Sequence, residues 1–313
     1  MFKVYKNRNF NDLINDTFIF FRQEGKGYFS NYIKIAGGFI LLFALLVYLL
    51  SNVFFENIFL TGSLQQEQML ENYFGNNEWY YAVFGIVCVL VLLLISAINY
   101  LFPVVYFKLL ADKVPITTKN IIKGIKARIW KVILFILFSS ITFLPIGVIL
   151  FAISGLLVLI LIGIPLIIFV TALMVNWVSQ SFYEYTTDRE TGYFWSFGTG
   201  YTLVTSKFWP NVGTSAIFLI VCYIIQTAIT FIASTLSSFI TMSSSEPNSF
   251  NQQETFSTLG IVLLITLIIS SIIQFLMQNV IMINQGVIYY SNIEQRENNS
   301  LHDDIDLIGK DIE

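Results

Sequence analysis

Apolar residues in this chain gather into long uncharged runs and do not alternate with polar ones. Such runs fall at about 35 to 55, 79 to 107, 132 to 152, 157 to 182, 211 to 240 and 258 to 290, each long enough to cross a hydrocarbon core of roughly 30 Å. A backbone in lipid must satisfy its own N–H and C=O groups, so spans this long are helices. The stretch 132 to 183 runs for 52 residues without a charge. That is too long for one span, and Pro145, Gly147, Ser154 and Gly155 supply the tight turn of a hairpin. The pattern predicts an all-α integral membrane protein with six transmembrane helices in three hairpins. One membrane domain covers 1–293, and an acidic cytoplasmic tail covers 294–313.

A second periodicity precedes helices 1, 3 and 5. Phe10, Leu13, Ile14, Phe18 and Phe21 recur at helical spacing, as do Ile121, Ile122, Ile125 and Ile129, and again Phe194, Phe197, Tyr201, Val204 and Phe208. Each stripe has a polar opposite face. This predicts three cytoplasmic amphipathic helices lying in the membrane interface, each before the chain turns into the bilayer. The unit of surface helix plus hairpin then recurs three times as a pattern, with little identity between copies.

Charge turns the spans into a topology. The expected loops 56 to 78, 153 to 156 and 241 to 257 hold no Lys or Arg, while all 17 basic residues fall on the other side. Basic residues near span ends resist translocation, so that side, with both termini, is predicted to be cytoplasmic, in a cell inner membrane. Losing or adding one span would scramble the alternation. The chain is 56% hydrophobic and 12% charged, about half the charge of a soluble protein. Lys3, Lys6, Arg8, Arg22 and Lys26 interrupt the first thirty residues, which therefore do not read as a cleavable signal peptide. Cys88 and Cys222 lie inside apolar runs and behave as small hydrophobes.

The segment FNDLINDTFIFFRQEGKGYF running into IKIAGGFILLF, echoed in NIIKGIKARIWKVILF, resembles the polytopic membrane domain that accompanies some bacterial glycerophosphodiester phosphodiesterases, together with its stand-alone relatives. The resemblance implies membrane architecture alone. The soluble phosphodiesterase barrel has no counterpart here, and His302 is the single histidine, so no catalytic residue is carried over.

Two constellations are candidate sites. Lys119, Lys123 and Lys126 share one face of the second surface helix, with Arg128 and Lys131 beyond. Such a patch holds anionic lipid headgroups or phosphates, or anchors topology. Helix 6 carries Gln274, Gln278, Asn279, Asn284 and Gln285, an intramembrane polar stripe that either bonds helices together or lines a cavity. Asn99, Asn176 and Gln226 are possible partners. Within the limits given above no span contains Asp, Glu, Lys, Arg or His, which disfavours proton-coupled transport. His302, Asp303, Asp304 and Asp306 match no metal-ligand spacing and read as a solvated acidic tail.

No phosphate loop, nucleophile elbow or zinc-binding helix motif occurs, and the basic helix does not argue for nucleic acid. The expectation is a non-enzymatic membrane protein without cofactor or metal. It works by binding membrane lipids, including anionic headgroups, or a protein partner in a membrane complex. The alternative is a transporter or flippase for a neutral or lipid-like solute.

Overall fold

The computed structural model describes residues 2–54, 78–187, 191–243 and 252–297. The expected acidic loop at 56 to 78 falls outside these residues but for Glu78, and of the one at 241 to 257 the middle, 244–251, falls outside them while its ends belong to the flanking helices. The tail from 298 on, with His302 and the carboxylates around it, lies outside them too. In chain order the helices are α1 Phe10–Phe54, α2 Glu78–Ala111, α3 Thr118–Lys126, α4 Ile129–Leu157, α5 Gly163–Thr187, α6 Tyr193–Ser206, α7 Phe208–Ser243 and α8 Gln252–Glu297. A 3-10 turn, Val158–Ile160, joins α4 to α5, and no strand occurs among the described residues. Six of these helices are long and apolar enough to cross a bilayer. The protein is an all-α integral membrane protein.

Three details depart from the sequence reading. The first concerns α1, which is one unbroken helix in which the predicted surface segment and span 1 are continuous. Leu13, Asp16, Thr17, Phe20, Tyr28, Tyr32 and Ala36 are all buried, a single helical stripe that crosses the expected junction. Nothing in residues 22–34 breaks a helix, because this stretch holds no proline and its two glycines, Gly25 and Gly27, are tolerated in one.

The hairpin turn is the second. Pro145, Gly147, Ser154 and Gly155 all lie within α4, and the chain reverses over residues 158–162, where Leu161 adopts the left-handed conformation at φ 64°. A proline inside a membrane helix removes one backbone bond and need not end the helix. The glycine that shapes the turn is Gly163, where a Cβ would lie 2.3 Å from the carbonyl oxygen of Ser154 and 2.3 Å from the amide nitrogen of Val158.

The third is the face of α6. Tyr193, Ser196, Gly200, Leu203 and Val204 are buried, whereas Phe194 and Tyr201 are exposed, so the inward face is turned by about one residue from the expected stripe. Close approach is the cause. A Cβ on Gly200 would meet Ser181 Oγ at 2.1 Å and Ser181 N at 2.8 Å. Helices in lipid gain more from small residues at their contacts than from hiding large apolar ones.

The described helices also run past the expected span limits and carry ionisable groups with them. Glu184 ends α5, Glu294 and Arg296 end α8, and Asp16 lies in α1.

The chain forms two compact units. The larger comprises Met1–Ile35, Ala97–Cys222 and Gln278–Glu313. An aromatic core joins its part of α1 to its part of α2. Phe20 stacks on Phe107 at 5.0 Å, Tyr28 meets Phe102 edge-on at 4.8 Å, and Phe2 meets Phe20 edge-on at 5.3 Å. Each such pair contributes about 0.5–1.5 kcal/mol beyond area burial. The segment before α1 wraps around Arg8, whose guanidinium donates to the carbonyls of Lys3, Val4 and Lys6 and, at 2.8 Å, to Asp16. Burial lowers the Arg8 pKa from its ordinary value, opposed by the Asp16 carboxylate beside it. Lys207, at the bend between α6 and α7, donates to Asn7 and to the carbonyl of Arg8, and burial pushes its ammonium pKa down.

The smaller unit comprises Ala36–Ser96 and Tyr223–Met277. Leu46, Val91 and Ile95 form its core, with Phe39, Phe43, Phe84, Cys88 and Phe275 packed around them. Large apolar side chains such as Leu41, Ile86 and Phe231 stand exposed, as expected of surfaces that face acyl chains.

Candidate functional site

The five basic residues of the first candidate patch divide by structure. Thr117 caps α3 by accepting from the amide of Asn120 at 3.2 Å, which sets the helix with Ile121 and Ile125 buried and Lys119, Lys123 and Lys126 exposed. The helix lies hard against α2, because a Cβ on Gly124 would come within 2.5 Å of Val105. Ile122 is exposed, so the isoleucine stripe is only partly inward. Arg128 and Lys131 have another task. Arg128 Nε donates to the carbonyl of Thr186 at 2.7 Å, and Lys131 Nζ donates to that of Tyr185 at 2.8 Å while lying 4.7 Å from the centre of the Tyr185 ring. Both cap the C-terminus of α5, where orphan carbonyls and the negative end of the helix dipole favour cations.

The polar stripe of α8 is graded along the helix. Gln274 is exposed and Gln278 half-buried, while Asn279, Asn284 and Gln285 are fully buried. The buried members reach four other helices. Asn279 accepts from Tyr28 on α1 at 2.7 Å and donates to Asn99 on α2 at 3.3 Å. Asn284 donates to Thr17 on α1 at 3.1 Å. Gln285 donates to Ser215 on α7 at 2.8 Å, and its main-chain carbonyl accepts from Gln180 on α5 at 3.3 Å. Of the partners expected from sequence, Asn99 and Asn176 join this network and Gln226 does not. The bonds are interhelical throughout, each contributing about 0.6 kcal/mol on average and at most about 1.7 kcal/mol in a membrane.

A groove forms where the sequence drew no attention. A cavity of about 370 Å³ lies among α4, α5, α2 and α8, walled by Val132, Phe135, Phe143, Val178, Phe182 and Met282. Its rim includes Ile136 and Leu144, both strongly exposed. Four polar side chains line it, and the three serines among them are engaged in hydrogen bonds within the protein. Ser139 shares a hydrogen bond with the Tyr193 hydroxyl at 3.3 Å, and Ser140 donates to the carbonyl of Ile136 at 2.9 Å. Ser179 donates to Met282 Sδ at 3.9 Å, and the Tyr100 side chain lies near Gln278. The groove wall is therefore mostly hydrocarbon, and its size falls in the range of small-ligand pockets.

Glu184 was also missed. It is buried, accepts from the Tyr289 hydroxyl at 2.7 Å, and lies 3.8 Å from Arg296. A single acid closing an uncharged run was its only signal in the sequence. The groove had none, because it is made by helix spacing and its residues are individually ordinary for a span. Compared with known proteins, the chain matches no family model, no curated protein and no solved structure.

Proposed function

We propose that this is a non-catalytic component of the bacterial inner membrane, with cytoplasmic termini, that works by binding lipid. An acyl chain occupies the groove between α4 and α5, and anionic headgroups gather at Lys119, Lys123 and Lys126. The observation that carries this reading is the groove, whose wall is mostly apolar, whose lining serine hydroxyls are spent on protein partners and whose rim at Ile136 and Leu144 is exposed within a membrane span. A medium of acyl chains supplies the matching ligand, and an empty apolar groove would forfeit dispersion contacts on its walls. The resemblance of the N-terminal segment to phosphodiesterase-associated membrane domains agrees with this as architecture.

The transport alternative has less support. A cavity at the amide stripe would need polar groups turned toward it, and Asn279, Asn284 and Gln285 direct their donors to neighbouring helices. A protein partner in a membrane complex fits the same lipid-binding role and would meet the exposed lysines.

The test is photocrosslinking with a phospholipid that carries a diazirine in its tail. Adducts are expected on residues 132–144 and 178–182, and Ser140→Trp at the groove rim should reduce them. Labelling spread evenly over all exposed helix faces, and unchanged by Ser140→Trp, would remove the groove as a lipid site.

A further inference from the structure

Several buried amides of the larger unit have one edge satisfied and the other bare. Three of them belong to one connected seam. Asn176 on α5 donates through Nδ2 to the carbonyl of Asn211 at 3.1 Å and to Ser215 Oγ at 2.8 Å, both on α7. Ser215 also accepts from Gln285 on α8 at 2.8 Å, and Gln180, one turn beyond Asn176, donates to the carbonyl of Gln285 at 3.3 Å. Asn211 itself donates to the carbonyls of Leu203 at 3.0 Å and Val204 at 3.2 Å. All of these side chains are sealed from the surface. Yet Asn176 Oδ1, Gln180 Oε1 and Asn211 Oδ1 find no hydrogen-bond partner among the described residues.

Turning the amides over does not repair this. Oxygen and nitrogen of an amide are normally assigned by the bonds they make, and here the assignment is forced. Each nitrogen faces at least one main-chain carbonyl, an acceptor only, so a flipped amide would set oxygen against oxygen. The three bare acceptors are therefore properties of the fold, and buried polar groups of this kind are nearly always paired.

We infer that the seam between α5, α7 and α8 is a built hydration site, in which ordered water molecules donate to Asn176 Oδ1, Gln180 Oε1 and Asn211 Oδ1. The ligand must bring donors and be small, which excludes the acyl chains around the protein. Neutral amides and a hydroxyl make up the bonded seam, so nothing in it offsets the desolvation of a cation, whereas water is satisfied by two to four such partners. The site is separate from the groove, and its occupancy does not depend on the lipid-binding reading.

Water-edited solid-state NMR on the full chain in deuterated lipid bilayers, with Asn and Gln labelled on their side-chain nitrogens, tests it. Magnetisation from water should reach the amides of Asn176, Gln180 and Asn211 although they are sealed, with no shift change between sodium, potassium and N-methylglucamine salts. In Asn176→Leu the transfer at Asn211 should be lost; if that variant does not fold, the wild-type spectrum decides alone. Transfer no stronger than at Asn279, a buried amide bonded on both edges to Tyr28 and Asn99, would overturn the proposal. So would amide shifts that follow sodium or potassium, which would mark a cation site instead.

Discussion

Arg8 Nε and Asp16 Oδ2 lie 2.8 Å apart, with the arginine side chain fully enclosed and Lys6 reaching the same carboxylate oxygen from the solvent side at 2.9 Å. This pair fixes the segment before α1 to the helix it precedes. Removing one member of a buried pair leaves an uncompensated charge, at a cost of about 3–5 kcal/mol. Asp16→Asn is therefore expected to lower the unfolding free energy in detergent by about 3 kcal/mol. Lys6→Gln, at a half-open position, should cost under about 1 kcal/mol. Equal effects of the two changes would show that the pair is not sealed.

Gly200 is the point where α6 closes on α5. The neighbour that a Cβ would strike is the backbone of Ser181 as well as its hydroxyl, so the helices must separate. Gly200→Ala is predicted to destabilise by about 1–3 kcal/mol, the usual cost of overpacking. Gly38 in α1 has nothing within 4 Å of such an atom. There the same change should be neutral or should stabilise by up to about 1 kcal/mol through helix propensity. Thermal denaturation of the two variants side by side checks the contrast.

Lysine substitutions should separate two roles that the sequence had merged. Changing Lys119, Lys123 and Lys126 together to Gln is expected to weaken selectivity for phosphatidylglycerol over phosphatidylcholine, at about 1 kcal/mol per residue, without changing the melting temperature. Spin-labelled lipids read that selectivity. Arg128→Gln and Lys131→Gln should do the reverse, because their partners are the carbonyls at the end of α5.

Gln285→Leu tests the amide framework. It removes a donor to Ser215 and exposes no new surface, so a loss of about 1–2 kcal/mol is expected. Lipid retention should be unchanged, since Gln285 does not line the groove.

The six spans were legible because a bilayer demands about 20 apolar residues in a row, and no other constraint writes so plainly into a sequence. The stripe on α8 was legible too, because amides such as Asn284 are costly facing lipid. The inward face of α6 was not. Outside a membrane Phe194 and Tyr201 would mark the buried side, but here lipid accepts them, and the contact goes to Ser196 and Gly200. Pro145 and Gly155 misplaced the hairpin turn for a related reason, since a membrane helix tolerates both and the tight backbone approach falls at Gly163. The groove depends on how far apart Phe135, Phe182 and Met282 are held, which no one-dimensional pattern records.

The most direct measurement is native mass spectrometry of the protein released from membrane-derived nanodiscs, with Ser140→Trp compared with the wild type. Lipid binding in the groove predicts phospholipid that stays with the wild-type chain through activation and is lost from the variant. A wild-type chain that leaves the membrane free of lipid, or with a stoichiometric protein partner and no lipid, would contradict it.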